Sequence, residues 1–302
     1  MDHVVEFLAA VGGSARTGQL LRHVSARHLA MAVRSGAVLR AGQGMYALSA
    51  LGEAERLALT GRAVLFGRSA ALAHGLGVLH RPESVELAVP RGRRTRKVPG
   101  TVVATRLLPA ADLVANGAVQ ATSVARTVLD CAAALPFAEG LAIADSALRL
   151  GKVSPDQLVE AAGRWVGRNR RAQQRVLQAM DGRASNAFES GLRAACLEAG
   201  VVMEPQVWIP TARGDYRVDL AKQWVLVAEA DSFEWHGGRD ALHRDCTRYN
   251  ELVRAGCTVL RFSWEHVMFE RAWIGEVVSD VERRLKLHNS ERERGEGLRP
   301  AA

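Results

Sequence analysis

The chain has 302 residues, is 48% hydrophobic and carries a formal net charge of +8. That length predicts more than one domain, and that apolar content suffices for packed cores, which excludes a chain disordered throughout. The positive balance points to a polyanionic partner, nucleic acid foremost, with a merely solvated basic surface as the alternative. No apolar run is long enough to cross a bilayer, and the start, MDHVVEF, lacks a basic n-region with a cleavage site. Those two features predict a cytoplasmic protein with no membrane partner.

In chain order, residues 1–50 read as three short helices and a hairpin. His3–Val11 sets Val4, Phe7, Leu8 and Val11 inward, and Gly12 and Gly13 stop it. Thr17 is placed to cap a second helix ending at Leu21. Ser25 is an N-cap for a third, Ala26–Arg34, with Leu29, Ala30 and Val33 toward the core and Gly36 past its end. AVLRAGQGMYAL reads as two strands turning at Gly42-Gln43-Gly44. Together these predict a winged helix-turn-helix, whose third helix enters the DNA major groove. Arg27, His28, Met31 and Arg34 would face that groove, with Arg27 and His28 reaching base edges; Arg40 and Gln43 would sit on the wing. A trihelical protein-interaction module with solvated arginines is the alternative.

Residues 51–182 read as a mixed α/β region. Ser69–His74 is helical, and VELAVP (85–90) and TVVATRL (101–107) are strands. Between the strands, RGRRTRKVPG places five basic residues, Arg91, Arg93, Arg94, Arg96 and Lys97. Through Arg93 and Arg94 such a loop can hold a phosphate backbone without reading sequence, or it is a solvated hairpin tip. TSVARTVLDCAAAL (122–135) reads as a helix capped by Thr122, with Val124, Val128, Leu129 and Ala132 inward. Its Arg126 and Asp130 are four apart and able to pair. GLAIADSALRLGKV and SPDQLVEAA follow as helices, the second capped by Ser154 with Pro155 in its first turn. NRRAQQRVLQAM (169–180) is a basic helix with apolar Val176, Leu177 and Met180, and DGRAS (181–185) marks a boundary.

Residues 183–288 hold the densest chemistry. NAFESGLRAACLEAG is a helix with Phe188, Leu192, Ala195 and Ala199 on its buried stripe. Residues 216–221 alternate as a half-buried strand does, and WVLVA is apolar throughout, as in a strand covered on both faces. The second strand ends in Glu229, Ala230 and Asp231, so Glu229 and Asp231 share a face. If the two strands form an antiparallel hairpin, Asp219 lies beside them. Carboxylates so close repel, and burial raises their pKa, unless a cation sits between them; such hard oxygen ligands suit Mg²⁺ or Mn²⁺. His236 could act as general acid/base or orient a water. Ala241–Ala255 reads as a helix with Leu242, Cys246, Tyr249, Leu252 and Val253 on its apolar side. Its polar side offers Arg244 and Arg248 to a phosphate, beside Asp245 and Asn250. CTVLRFSW is a strand, a last helix covers about 273–287, and residues 289–302 are expected to be disordered. Cys131, Cys196, Cys246 and Cys257 have no CxxC spacing and read as core residues in a reducing compartment.

Two family resemblances attach to these residues. GGSARTGQLLRHVSARHLAMAVRSGAVLRAGQGMYAL resembles the AbiEi antitoxins, as do the later GRSAALAHGLGVLH and TSVARTVLDCAAAL. That resemblance implies a DNA-binding repressor of a toxin–antitoxin operon, acting at its operator and paired with a nucleotidyltransferase-type toxin. VDLA…VAEAD…EWH…RDCTRYNELVRAGCTVLRFSW resembles the Vsr-like (very-short-patch-repair) branch of the PD-(D/E)XK nucleases, over about Ser185 to Trp273. It implies Asp219 and Asp231 as metal-binding positions, Glu229 as the second acid, Glu189 as the acid of the leading helix and His236 beside the attacking water. The superfamily's lysine two places after the second acid is absent, Asp231 standing there, and the usual Asp-Gly pair is Asp231-Ser232.

The expected fold class is thus α+β multidomain: an N-terminal winged helix-turn-helix (1–50), a mixed α/β middle region (51–182), a C-terminal α/β restriction-endonuclease-like, Vsr-like domain (183–288) and a tail (289–302). Two functions fit. One is a Mg²⁺-dependent DNA endonuclease targeted by the winged helix, with Glu229 completing the metal set. The other is a non-catalytic repressor or antitoxin that uses a degenerate nuclease fold to bind DNA or a partner. Winged-helix repressors often act as homodimers, although no heptad seam specifies one here.

Overall fold

The computed structural model describes residues 2–92, 98–231 and 239–296. It is a mixed α+β chain that divides into two compact units, residues 1–134 with 152–173 and residues 135–151 with 174–302. The segment 135–151, expected from the sequence to stay with the middle region, belongs by its contacts to the second unit. Among the described residues no helix is long and apolar enough to cross a membrane.

The first unit opens with α1 (Asp2–Ala10), β1 (Ser14–Arg16), α2 (Thr17–Leu20), α3 (Ala26–Arg34) and the hairpin β2 (Val38–Gly42) and β3 (Met45–Leu48). The strands pair in the order β1-β3-β2. Val4, Leu8, Leu20, Leu29, Ala32 and Val38 form the core under them. The Ser25 hydroxyl accepts from the His28 backbone N–H at 3.2 Å, so the cap on α3 is where the sequence put it. Three details differ. Val11 is exposed, lying past the last turn of α1. Thr17 begins α2 rather than capping it, its backbone N–H going to the Gly44 carbonyl. Ala32, not Ala30, joins Leu29 in the core, because an i, i+3 step follows the buried stripe of α3.

Hydrogen bonds tie these elements to the middle of the chain. The Thr60 hydroxyl on α4 (Glu53–Gly61) reaches the Ala41 carbonyl at 2.7 Å, and the Ser14 hydroxyl reaches the Ala118 carbonyl at 3.0 Å. Gly12, at φ +87°, lies so near Gly117 that a Cβ would meet its carbonyl oxygen at 3.0 Å. The middle sheet comprises β4 (Val64–Leu65), β5 (Val85–Pro90), β6 (Thr101–Arg106), β7 (Leu113–Asn116) and β8 (Val119–Thr122), with α5 (Gly67–Ala73) between β4 and β5. Its order is β6-β5-β4-β8-β7. β5 and β6 run parallel, so they are not the two arms of a hairpin; Arg93 and Arg94 lie outside the described residues. α6 (Val124–Ala134) follows, initiated by Ser123 rather than Thr122: the Ser123 hydroxyl accepts from the Arg126 backbone N–H at 3.3 Å, while the Thr122 hydroxyl bonds that of Thr127 at 2.7 Å.

After α6 the chain contributes α7 (Phe137–Arg149) to the second unit. It returns as α8 (Pro155–Arg164), capped by Ser154, and passes back along α9 (Arg170–Ala179). The second unit continues with α10 (Ala187–Glu198), β9 (Glu204–Thr211), β10 (Gly214–Lys222), β11 (Leu226–Asp231), α11 (Arg239–Arg254), β12 (Thr258–Ser263), α12 (Trp264–Phe269) and α13 (Arg271–Glu296). Its sheet has the order β12-β11-β10-β9, antiparallel except for β11 and β12, which run parallel with α11 as their crossover. Leu192 and Cys196 of α10 meet Leu220, Ala228 and Phe262 of the sheet and Ile274 and Val278 of α13. A second cluster joins Ile209, Val218 and Val227 to Leu252 of α11. β11 is therefore covered on both faces, as its apolar run requires.

Two expectations fail here. On α11, Leu242, Cys246 and Val253 are exposed; Leu252 is buried with Tyr249 half-buried beside it, since the inward stripe also carries Arg248 and Glu251. The last helix runs on to Glu296, so part of the segment expected to be disordered is helical, in keeping with the helix propensity of its glutamates and arginines. Residues 297–302 lie outside the described residues.

One ion pair fixes the helical layer of this unit. Arg193 on α10 donates from Nη2 to both carboxylate oxygens of Asp145 on α7, at 2.9 and 2.7 Å, with side chains only 5% and 1% exposed. Arg193 Nη1 also donates to the Ala179 carbonyl at 2.7 Å, and Asp145 accepts the Asp181 backbone N–H at 2.8 Å. Removing one partner leaves a buried charge unpaired. Asp145→Ala is expected to lower the unfolding free energy by about 3–5 kcal/mol. Pairing Asp145→Leu with Arg193→Met should cost less than the single change, and urea denaturation of the three proteins checks both.

Candidate functional site

The hairpin of β10 and β11 forms as its alternation predicts, with Leu220 opposite Ala228 and Lys222 opposite Leu226. Beyond Leu220 the ladder stops, and side chains replace it. The Ala230 backbone N–H donates to Asp219 Oδ2 at 2.9 Å, and the Asp219 backbone N–H donates to Glu229 Oε2 at 3.3 Å. The two carboxylates thus sit side by side where the strands part.

Glu189, in the first turn of α10, joins them through a residue the sequence did not mark. Gln206 on β9 stands opposite Asp219 and interrupts the β9–β10 register there, with a left-handed φ of 58°. That conformation is costly for a side-chain-bearing residue and recurs at functional positions. Gln206 Nε2 donates to Glu189 at 2.7 Å and lies 3.4 Å from Asp219 Oδ1. The other Glu189 partners are the Ser185 backbone N–H at 2.7 Å and Asn186 Nδ2 at 2.9 Å, while Asn186 caps α10 in return.

Arginines occupy the far side. Arg248 on α11 ion-pairs with Glu229 and donates to the Arg217 carbonyl at 2.8 Å. Arg261 on β12 donates to Asp231 Oδ2 at 2.7 Å, its guanidinium lying 4.0 Å from the Tyr249 ring centre. Asp231 shares the Glu229 face as expected, but its partner is Arg261. Arg248 is bound inside the acid cluster, while Arg244 is exposed. His236 lies outside the described residues.

The electrostatics follow from burial. Glu229 is pushed up from the ordinary glutamate value near 4.5 to about 7, first by desolvation and next by the charge of Asp219, with Arg248 opposing both. Glu189 is raised for the same two reasons, burial and then Asp219. Among the described residues no group of three or more His, Cys, Asp or Glu side chains stands close enough to hold a metal ion. Arg248 and Arg261 supply positive charge to Glu229 and Asp231.

On the first unit, Arg27, His28, Met31 and Arg34 are all exposed on α3, and Arg40 and Gln43 on the hairpin. Arg40 stands 5.8 Å from the Tyr46 ring centre, and the Gln43 carbonyl accepts from Arg62 at 3.5 Å.

Comparison with known proteins bears on these sites. Residues 62–181 match the AbiEi antitoxin C-terminal domain. Two Mycobacterium tuberculosis proteins, uncharacterized protein MT2308 (strain CDC 1551 / Oshkosh) and uncharacterized protein Rv2248 (strain ATCC 25618 / H37Rv), are each 30% identical over 243 residues, covering 78% of this chain and 88% of theirs. The chain belongs to their family. The crystal structure of the RV2827C protein from Mycobacterium tuberculosis aligns with a TM-score of 0.34 at 15% identity, covering 60% of this chain and 81% of that one. The AbiEi part of the resemblance therefore holds over the middle of the chain, from β4 to the end of α9.

The Glu229 shift carries a sign. A folded pKa above the unfolded one means that the native state holds more protons between about pH 4.5 and 7. The stability from this group is present below that window and is lost as pH rises through about 7. The loss is on the order of 3 kcal/mol. Glu229→Gln should flatten this decline, and Arg248→Ala should move it to higher pH, in urea unfolding followed from pH 4 to 9.

Proposed function

We propose that the chain is a DNA-binding regulator of the antitoxin type, acting at an operator through a winged helix-turn-helix at residues 1–50 and partnered by a nucleotidyltransferase-type toxin. The observation that carries this reading is α3: it buries only Leu29 and Ala32 and turns Arg27, His28, Met31 and Arg34 to solvent. A helix so disposed, followed by a hairpin, suits insertion into the major groove with arginines on guanine edges and phosphates. The AbiEi match over residues 62–181 supports the regulatory assignment. The C-terminal unit, in this reading, is a Vsr-like scaffold whose acids are neutralised by Arg248 and Arg261.

Operator binding is tested on the upstream region of the gene by gel shift at several salt concentrations. Arg27→Ala is expected to relax sequence preference and weaken binding by about 1–3 kcal/mol, and Arg40→Ala to weaken all sequences alike and reduce the salt slope by about one. Equal binding by wild type and both variants removes the α3 assignment.

A second reading, a Mg²⁺- or Mn²⁺-dependent DNA endonuclease, rests on the raised pKa values of Glu229 and Glu189 around Asp219. Mutual repulsion of this kind is relieved by a cation. Plasmid, mismatched duplex and single-stranded DNA are incubated with either metal, wild type beside Asp219→Ala. The regulator reading expects intact DNA in every lane; cutting that disappears in Asp219→Ala would replace it with the nuclease.

A further inference from the structure

The first unit holds a cavity of about 470 Å³, apart from both α3 and the acid cluster. That is within the range of small-ligand sites, about 300–1,000 Å³. Arg126 and Asp130 of α6 line it. Arg126 is already neutralised, with Nε donating to Asp130 and Nη1 to Asp112, each at 2.6 Å. Three more arginines reach the same cavity: Arg91 after β5, Arg106 at the end of β6 and Arg168 between α8 and α9. None of these three has an ion-pair partner among the described residues.

Aromatic surface and an open donor complete the lining. Trp165 folds back over Gly167 so closely that a Cβ there would fall 2.3 Å from its ring, so a larger residue at 167 would displace the indole. The buried Trp165 indole N–H is directed toward Asp130 but closes no full hydrogen bond. The Arg106 guanidinium lies 5.2 Å from the Phe66 ring centre, and both side chains line the cavity wall.

Guanidinium groups sharing a concavity repel one another until an anion enters. Their planar forks match the oxygens of a phosphate two at a time. A phosphate monoester brings two negative charges and three oxygens, whereas each phosphodiester of a strand brings one charge and needs a groove long enough for its neighbours. The remaining volume, walled by Trp165 and Phe66, suits a flat ring. We propose that this pocket binds a nucleoside 5′-phosphate, with the phosphate on Arg91, Arg106 and Arg168 and the base against the aromatic side. The source of that group is a free nucleotide or the phosphorylated 5′ end of a strand. This site does not depend on the regulator reading.

The test is calorimetric titration of the full chain with adenosine and guanosine 5′-monophosphates, the parent nucleosides, inorganic phosphate, and one oligonucleotide with and without a 5′-phosphate. At least one monophosphate, or the 5′-phosphorylated strand, should bind at least tenfold more tightly than its phosphate-free counterpart. Arg168→Ala and Arg106→Ala should each weaken that binding tenfold or more while the melting temperature stays within a few degrees. Arg91→Ala serves as a third variant should either fail to fold. Binding of mononucleotides alone identifies a free nucleotide as the ligand, and binding of the phosphorylated strand alone identifies a strand end. Equal affinity for both forms of the oligonucleotide with no mononucleotide binding, inorganic phosphate matching the nucleotides, or unchanged affinity in the variants would overturn the proposal.

Discussion

The second unit depends on the buried pair of Arg193 and Asp145. Two full charges taken out of water carry a desolvation cost that attraction offsets only when geometry is close to ideal. Here the carboxylate is gripped through both oxygens and accepts a further backbone N–H from Asp181, while Arg193 also ties down the end of α9 through Ala179. Burial still pulls Asp145 above the ordinary aspartate range, with Arg193 opposing it. What the pair supplies is position. It sets the rotation of α10 against α7, and α10 delivers Glu189 from its first turn to the edge of the sheet. Leu192, one turn further along, secures the same helix to the apolar core.

The acid cluster repeats the theme with less complete compensation. Four carboxylates collect around the ends of β10 and β11, and the chain answers them with two arginines and an amide. Gln206 bridges the like charges of Glu189 and Asp219 with its NH₂ group, which donates to both without adding charge. Arg248 stands at Glu229 and Arg261 at Asp231. The result is a network neutral enough to persist, yet still tense at Glu229, whose proton affinity is well above normal.

Much of this was legible in the sequence. Period-two alternation gave the β10–β11 hairpin and set Glu229 and Asp231 on one face beside Asp219. Cap chemistry located α3 and α8 through Ser25 and Ser154. The failures at the site depend on residues far apart in the chain. Nothing local in EPQVWIP shows that Gln206 adopts a left-handed backbone, because its reason to do so is the carboxylates on α10 and β10. Gln223 and Trp224 both take positive φ in the β10–β11 turn, where a sequence rule looks for Asn-Gly. On α11 the apolar residues suggested one inward face, but Glu229 captures Arg248 and rotates a different stripe inward. The parallel pairing of β5 and β6 was likewise hidden, since a short basic connection suggests a hairpin.

The hydrogen bonds from Ser14 to Ala118 and from Thr60 to Ala41, with the close approach of Gly12 to Gly117, bear on how this chain can be divided. They cross the point near residue 50 where the sequence pattern alone places a domain boundary. A fragment ending there would lose the partner of Ser14 and the Thr60 support behind the β2–β3 hairpin. The three helices and hairpin are thus held to α4 and to the β7–β8 turn by side-chain hydrogen bonds and not by chain connectivity alone. A substitution that shifts the β7–β8 turn therefore reaches β1 through the Ser14–Ala118 hydrogen bond, so the first fifty residues and that sheet edge have to change together.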